Sequence, residues 1–173
     1  MLNSNRLLRS IAKSKSSSIT PTEKKMDTRT IDQVLRKHCN IYRGTYSSDT
    51  LPNILESWRP LVIVVNTDPS AKPGMHWICM FFDECGHGEF FDSFGQYPNT
   101  IFERYMNTYC TAWLYNNKQL QSLISRFCGH YVIWFCVFKA RKNSLTALLR
   151  NVSSDTGLND YLAHKFACTL IRS

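Results

Sequence analysis

The chain predicts an α+β domain in which one buried helix packs on a small, mostly antiparallel sheet. Three observations carry that expectation. Residues 61–65 (LVIVV) are a continuous apolar run rich in β-branched side chains, the mark of a buried strand. Residues 77–82 and 89–92 are two further strand-like runs, and the short turn DECGHGE between them makes antiparallel pairing the natural choice. The stretch CGHYVIWFCVFKARKN, from residue 128, is apolar all round and ends on cations, as a core helix does at its C-terminus.

A length of 173 residues suits one domain with a full core. The expected division is a basic, disordered tail at 1–25 and a folded domain at 26–173. The tail carries six of the 21 Lys and Arg residues against Glu23 alone, so five of the net +8 charges lie there. It is rich in serine and poor in acid and aromatic residues. Three readings of it stand: a mitochondrial presequence, a nucleic-acid-binding arm, or an extension ahead of a second start at Met26, the last two favoured.

The elements then follow in order. Thr30 resembles a capping-box start for a helix over 30–38, with Ile31, Val34, Leu35 and His38 at helical spacing. Residues 40–60, with GTYSSDTLPN, read as irregular, and 66–74 (NTDPSAKPG) as a loop. Residues 99–109 alternate as a surface helix with Ile101, Phe102, Tyr105 and Met106 on one side. Residues 112–115 suggest a strand, 144–150 a helix, and 158–170 a final helix.

Composition excludes some classes. With 43% hydrophobic and 13% aromatic residues the chain is globular, and its longest apolar run, 131–138, is far short of the roughly 18 residues a membrane span needs. Seven cysteines without regular spacing argue against a disulfide framework and for a reducing, intracellular compartment. Cys79, Cys85, His87, Cys128 and His130 are candidate metal ligands by type, but no C-x2-C pair is present, so no metal is expected.

The chemistry lies in the order His76-Trp77, Asp92, Gln121, Cys128-Gly129. These side chains can supply a thiol-dependent hydrolase. The imidazole takes the thiol's proton, the carboxylate orients the imidazole, the carboxamide holds an oxyanion and the thiolate attacks. A cysteine at the start of a buried helix has its thiolate favoured by the helix dipole. Gly129 lets backbone and substrate approach closely, and Trp77 packs beside the histidine with a backbone contribution. Cys136 is expected to be an inert core thiol, and Gln119 competes with Gln121. Reflection about the turn sets Asp92 opposite Cys79, about 10 Å from His76. A bulge, or a His76 in the loop before its strand, must close that distance.

With GTY at 44–46, VNT at 65–67, GMHW at 74–77, FFDSFG around Asp92, Gln121 and Cys128-Gly129, residues 30–140 resemble the adenovirus-type maturation proteases, the adenain family. CGHYVIWF is similar to the proteases of Polinton or Maverick transposons and adintoviruses, within a wider clan of ubiquitin-like-protein proteases. The resemblance implies a papain-like α+β fold and cleavage of viral or element-encoded precursors near small residues such as glycine. Cys110 matches the cysteine by which adenain attaches an activating peptide, and DNA is the family's second cofactor; the sequence itself requires none. Partners are then precursor proteins and DNA, with no membrane, and the location is a host nucleus or virion. The acid is often Glu in the family where this chain has Asp92. Two rivals remain: an isopeptidase for ubiquitin-like modifiers and a non-catalytic basic DNA-binding domain.

Overall fold

The computed structural model describes residues 26–54 and 56–173; the tail at 1–25 and its three readings lie outside the described residues. Helix α1 (Thr28–His38) starts before Thr30, because Asp27 is the N-cap and its carboxylate accepts from the Thr30 N–H at 2.8 Å. Its buried residues, Ile31, Val34 and Leu35, recur at helical spacing.

A five-stranded sheet follows in the order β1 (Tyr42–Ser47), β2 (Leu61–Asn66), β3 (Trp77–Phe82), β4 (His87–Asp92) and β5 (Ala112–Tyr115). β2–β3 and β3–β4 are antiparallel, but β1–β2 and β4–β5 are parallel, so the sheet is mixed rather than mostly antiparallel. Both departures have a local cause. Strand β1 lies inside the stretch expected to be irregular, where Gly44 has φ +140° and the register slips between Tyr42 and Thr45, which breaks the alternation that marks a strand. Strand β5 comes after helix α2 (Thr100–Tyr109), and that crossover returns it parallel to β4.

Both faces of the sheet are covered, which explains why β2 is apolar from Leu61 to Val65. Val62, Val64, Cys79 and Phe91 enter one core cluster with the helices of one side. Leu61, Ile63, Val65, Ile78, Met80 and Phe90 enter a second cluster with Phe102 and Met106 of α2. Ile101, placed by spacing on the inner face of α2, is 55% exposed. Asn99 caps that helix by accepting from the N–H groups of Ile101 and Phe102.

Helix α3 (Cys128–Ala140) is the central element, with every residue from Cys128 to Lys139 buried. It packs against β3, α1 and α5 (Thr156–Arg172), while α4 (Leu145–Arg150) follows it directly. Phe135 stacks on Phe91 of β4 at a centroid distance of 4.5 Å. The last turn of the helix carries Lys139, whose ammonium pairs with Glu89 at 2.9 Å and lies 4.0 Å from the centre of the Phe81 ring. The cation therefore closes the helix without leaving the core. Helices α4 and α5 start at Ser144 and Asp155, each of which caps with its side chain. Among the described residues no helix is long and apolar enough to cross a membrane.

Candidate active site

The hairpin brings the imidazole and the carboxylate together by a register one step different from simple reflection. Asp92 lies opposite Ile78 rather than Cys79, and His76 stands in the loop just ahead of β3. That loop is tied down. The His76 carbonyl accepts from the Thr67 N–H at 2.9 Å, and Gly74, with φ +85°, tucks so close over Asn66 that a Cβ there would lie 2.3 Å from its amide nitrogen.

His76 Nε2 meets Asp92 Oδ1 at 2.8 Å. The Phe94 ring lies 4.9 Å from the imidazole, and the same carboxylate oxygen accepts the Phe94 N–H at 2.8 Å. The Cys128 thiol lies beside the imidazole, close enough to favour its charged form. With Nε2 taken by the carboxylate, Nδ1 is the nitrogen left to serve the sulfur; it is buried and has no hydrogen-bond partner among the described residues. Burial works against charge on this ring. The Asp92 hydrogen bond and the nearby Asp92 and Cys128 outweigh it and lift His76 from 6.5 to about 9. An imidazolium is therefore the stable form near neutrality, and it favours a thiolate beside it.

Cys128 is the first residue of α3, and the N-cap residue Phe127 offers no side chain to cover the first-turn N–H groups. The helix start can therefore receive negative charge.

Gln121 is 1% exposed, and its amide orientation is set by two partners. The Ser93 hydroxyl donates to Oε1 at 2.7 Å, and Nε2 donates to the Ser125 carbonyl at 3.0 Å. Nε2 has a second hydrogen to give. Gln119, the competing candidate, is spent on the Gln121 carbonyl at 2.8 Å.

Two residues in this network have no counterpart in the sequence reading. Asn116, fully buried, accepts the Asp92 N–H through Oδ1 at 2.8 Å and donates through Nδ2 to the Asp92 carbonyl. Ser93, also fully buried, accepts the N–H groups of Leu120 and Gln121 on its carbonyl, each at 2.9 Å. It couples the strand carrying the acid to the loop carrying the amide. Asn116 sits in NNKQ and Ser93 in DSFG, where polar residues read as turn formers.

The three other candidate residues have neighbours of their own. The Trp77 indole N–H donates to the Met26 carbonyl at 3.1 Å, so the ring is built into the core. A Cβ on Gly129 would lie 2.7 Å from that of Met26, so the close neighbour of this glycine is Met26. Cys110 is half-buried on the far side of the sheet, where its sulfur packs over Gly88 and burial pushes the thiol up to about 11. It is not part of the His76 cluster.

Residues 42–115 match the family model described as adenovirus endoprotease, a segment that includes His76 and Asp92 and stops short of Gln121 and Cys128. No curated protein sequence matches the chain. Two structures of the ASFV protease (African swine fever virus) overlay with TM-scores of 0.60 and 0.56 at 18% identity. They cover 80% and 81% of this chain and 66% and 67% of theirs, so this chain spans about two thirds of their length. A SUMO protease covers 99% of this chain and 97% of its own at 12% identity, but its TM-score of 0.47 is too low to bear on function. The ASFV likeness establishes the fold. The chain is a cysteine peptidase whose residues 42–115 are related to the adenovirus endoproteases.

Proposed function

We propose that the chain is an endopeptidase that processes precursor proteins of a virus or a Polinton-type element, with Cys128 as nucleophile, His76 as general base and acid, Asp92 as its orienting carboxylate and Gln121 as oxyanion donor. The observation that carries this reading is the imidazole placed between two groups, bound to Asp92 at 2.8 Å and lying beside the Cys128 thiol, both of which favour its charged form. His76 holds the thiol's proton, and the Cys128 sulfur attacks the scissile carbonyl. The oxyanion is met by the free hydrogen of Gln121 Nε2 and by N–H groups at the start of α3. As the tetrahedral adduct collapses, the imidazolium gives its proton to the departing amine and an acyl-enzyme remains. Neutral His76 then takes a proton from water, hydroxide attacks the thioester, and the thiol is restored.

Exposed apolar side chains flank these groups in sequence: Met75, 76% exposed, precedes His76, and Leu123 and Ile124, 75% and 95% exposed, lie between Gln121 and Cys128. Such a rim suits an extended polypeptide. DNA and an activating peptide joined through Cys110 belong to the same proposal, as does action in a host nucleus or virion. The raised Cys110 thiol would make that link form slowly without an activated partner.

The test is cleavage of a glycine-containing precursor peptide beside reaction with a ubiquitin-like electrophilic probe. Turnover of the peptide that is lost in Cys128→Ala supports the proposal. Reaction with the probe alone would move the chain to the isopeptidases. No turnover of either, with peptide or DNA added, would refute it.

A further inference from the structure

The flank of α3 away from the catalytic groups carries a second cluster. His130 follows Cys128 by two residues, which at about 100° per residue turns it to the opposite side of the helix. There α3 packs on α5, where His164 and Cys168 stand four residues apart and so share one face. One nitrogen from each imidazole and the Cys168 sulfur all lie within 4.8 Å of one another. The two histidine rings are 5.0 Å apart, and the sulfur lies 3.6 Å from each ring nitrogen of His164. His130 is 5% exposed, and its Nδ1 is buried with no hydrogen-bond partner among the described residues. A polar atom in that position is costly unless something completes it.

We propose that His130, His164 and Cys168 form a binding site for a thiophilic divalent cation of the zinc type, with its fourth position open to solvent. Two imidazoles and a thiolate are the donor set such an ion prefers. Tetrahedral zinc, with bonds of about 2.0 Å to nitrogen and about 2.3 Å to sulfur, sets those donors about 3.6 Å apart. The sulfur stands at that distance from both nitrogens of the His164 ring, so a turn of that ring and an approach by His130 would aim the three donors at one point. His164 and Cys168 are half-buried, which leaves the ion a path inward. On binding, the Cys168 thiol gives its proton to solvent while both imidazoles bind neutral. The bound ion clips α5 to the first turn of α3 and leaves the Cys128 sulfur uncoordinated.

The experiment titrates cobalt(II), a spectroscopic stand-in for zinc, into the full chain carrying Cys128→Ala, which removes the catalytic thiol as a competing ligand. We expect one cobalt per chain with a thiolate-to-cobalt absorption band, displaced by zinc, and a thermal midpoint raised by zinc. Adding Cys168→Ser should abolish the band, and adding His164→Gln should weaken binding by about tenfold or more. Adding Cys85→Ser, at the exposed turn near Asp83 and His87, should change neither. Absence of a thiolate band, its survival in Cys168→Ser, or its loss in Cys85→Ser would overturn the site. None of these readouts depends on proteolysis, so the result stands apart from that of the proposed function.

Discussion

Cys128 and Cys136 lie on the same helix, are both buried, and have opposite surroundings. Cys136 is fully buried, with its sulfur 3.6 Å from that of Cys79 and its carbonyl taking the Cys39 thiol at 3.3 Å. Burial pushes the Cys136 thiol well up, the Cys79 thiol up with it, and Cys39 to about 12. At Cys39 the charge of Arg43 pulls the other way, and burial outweighs it. Cys128 is also only 4% exposed, but it heads the helix and faces an imidazole held charged to about pH 9. Burial alone therefore decides little about a thiol; what shares the burial decides whether it is filler or nucleophile.

The largest effect follows from exchanging the two roles. Cys128→Ala should reduce kcat by about 10⁴-fold or more, and Cys136→Ala should leave it near that of the parent, as steady-state hydrolysis would read. Next, Gln121→Ala should lower kcat by about 10²–10³-fold with little change in KM, if its free N–H meets charge only in the transition state. A smaller loss, about 10–100-fold in kcat, is expected for Asn116→Ala, because Asn116 sets the Asp92 backbone and through it the imidazole. A purely structural role would lower stability and leave the pH profile unmoved. In Asn116→Ala we expect the alkaline limb to shift to lower pH.

That limb has a definite sign. His76 is lifted from 6.5 to about 9 in the folded protein, so kcat/KM should fall as pH rises through about 9 and the ring loses the proton it gives to the leaving amine. The same shift contributes stability that is full below about 6.5 and lost as pH rises through about 9, which denaturant midpoints would follow. Asp92→Asn removes the strongest of the groups that lift the ring, so both transitions should move toward lower pH. The smallest effect is expected at the rim: Leu123→Ser with Ile124→Ser should raise KM a few-fold for a protein substrate and leave a short peptide unaffected.

The fold was legible where burial leaves a periodic trace and hidden where it does not. The all-apolar run of β2, the all-round apolar α3 and the alternating hairpin each state their environment. β1 does not, because Gly44 and a slipped register interrupt its alternation. Cys128, His76, Asp92 and Gln121 could be singled out by type and order, whereas their mutual reach depended on a one-residue change of register that composition does not encode. Ser93 and Asn116 were illegible for a different reason: a polar residue beside a turn reads as the turn's own, and only tertiary contact shows that it braces the site. The His130, His164 and Cys168 cluster joins two helices far apart in the chain, so no local spacing announces it.

The most direct measurement of the central claim is the rate at which each thiol is alkylated by limiting iodoacetamide at pH 6, read by peptide mass. At that pH an ordinary thiol is protonated, whereas His76 is charged and Cys128 shares its proton. The account requires Cys128 to react first, ahead of the exposed Cys85, and to lose that lead in His76→Ala. Alkylation led by Cys85, or a Cys128 rate indifferent to His76→Ala, would contradict it.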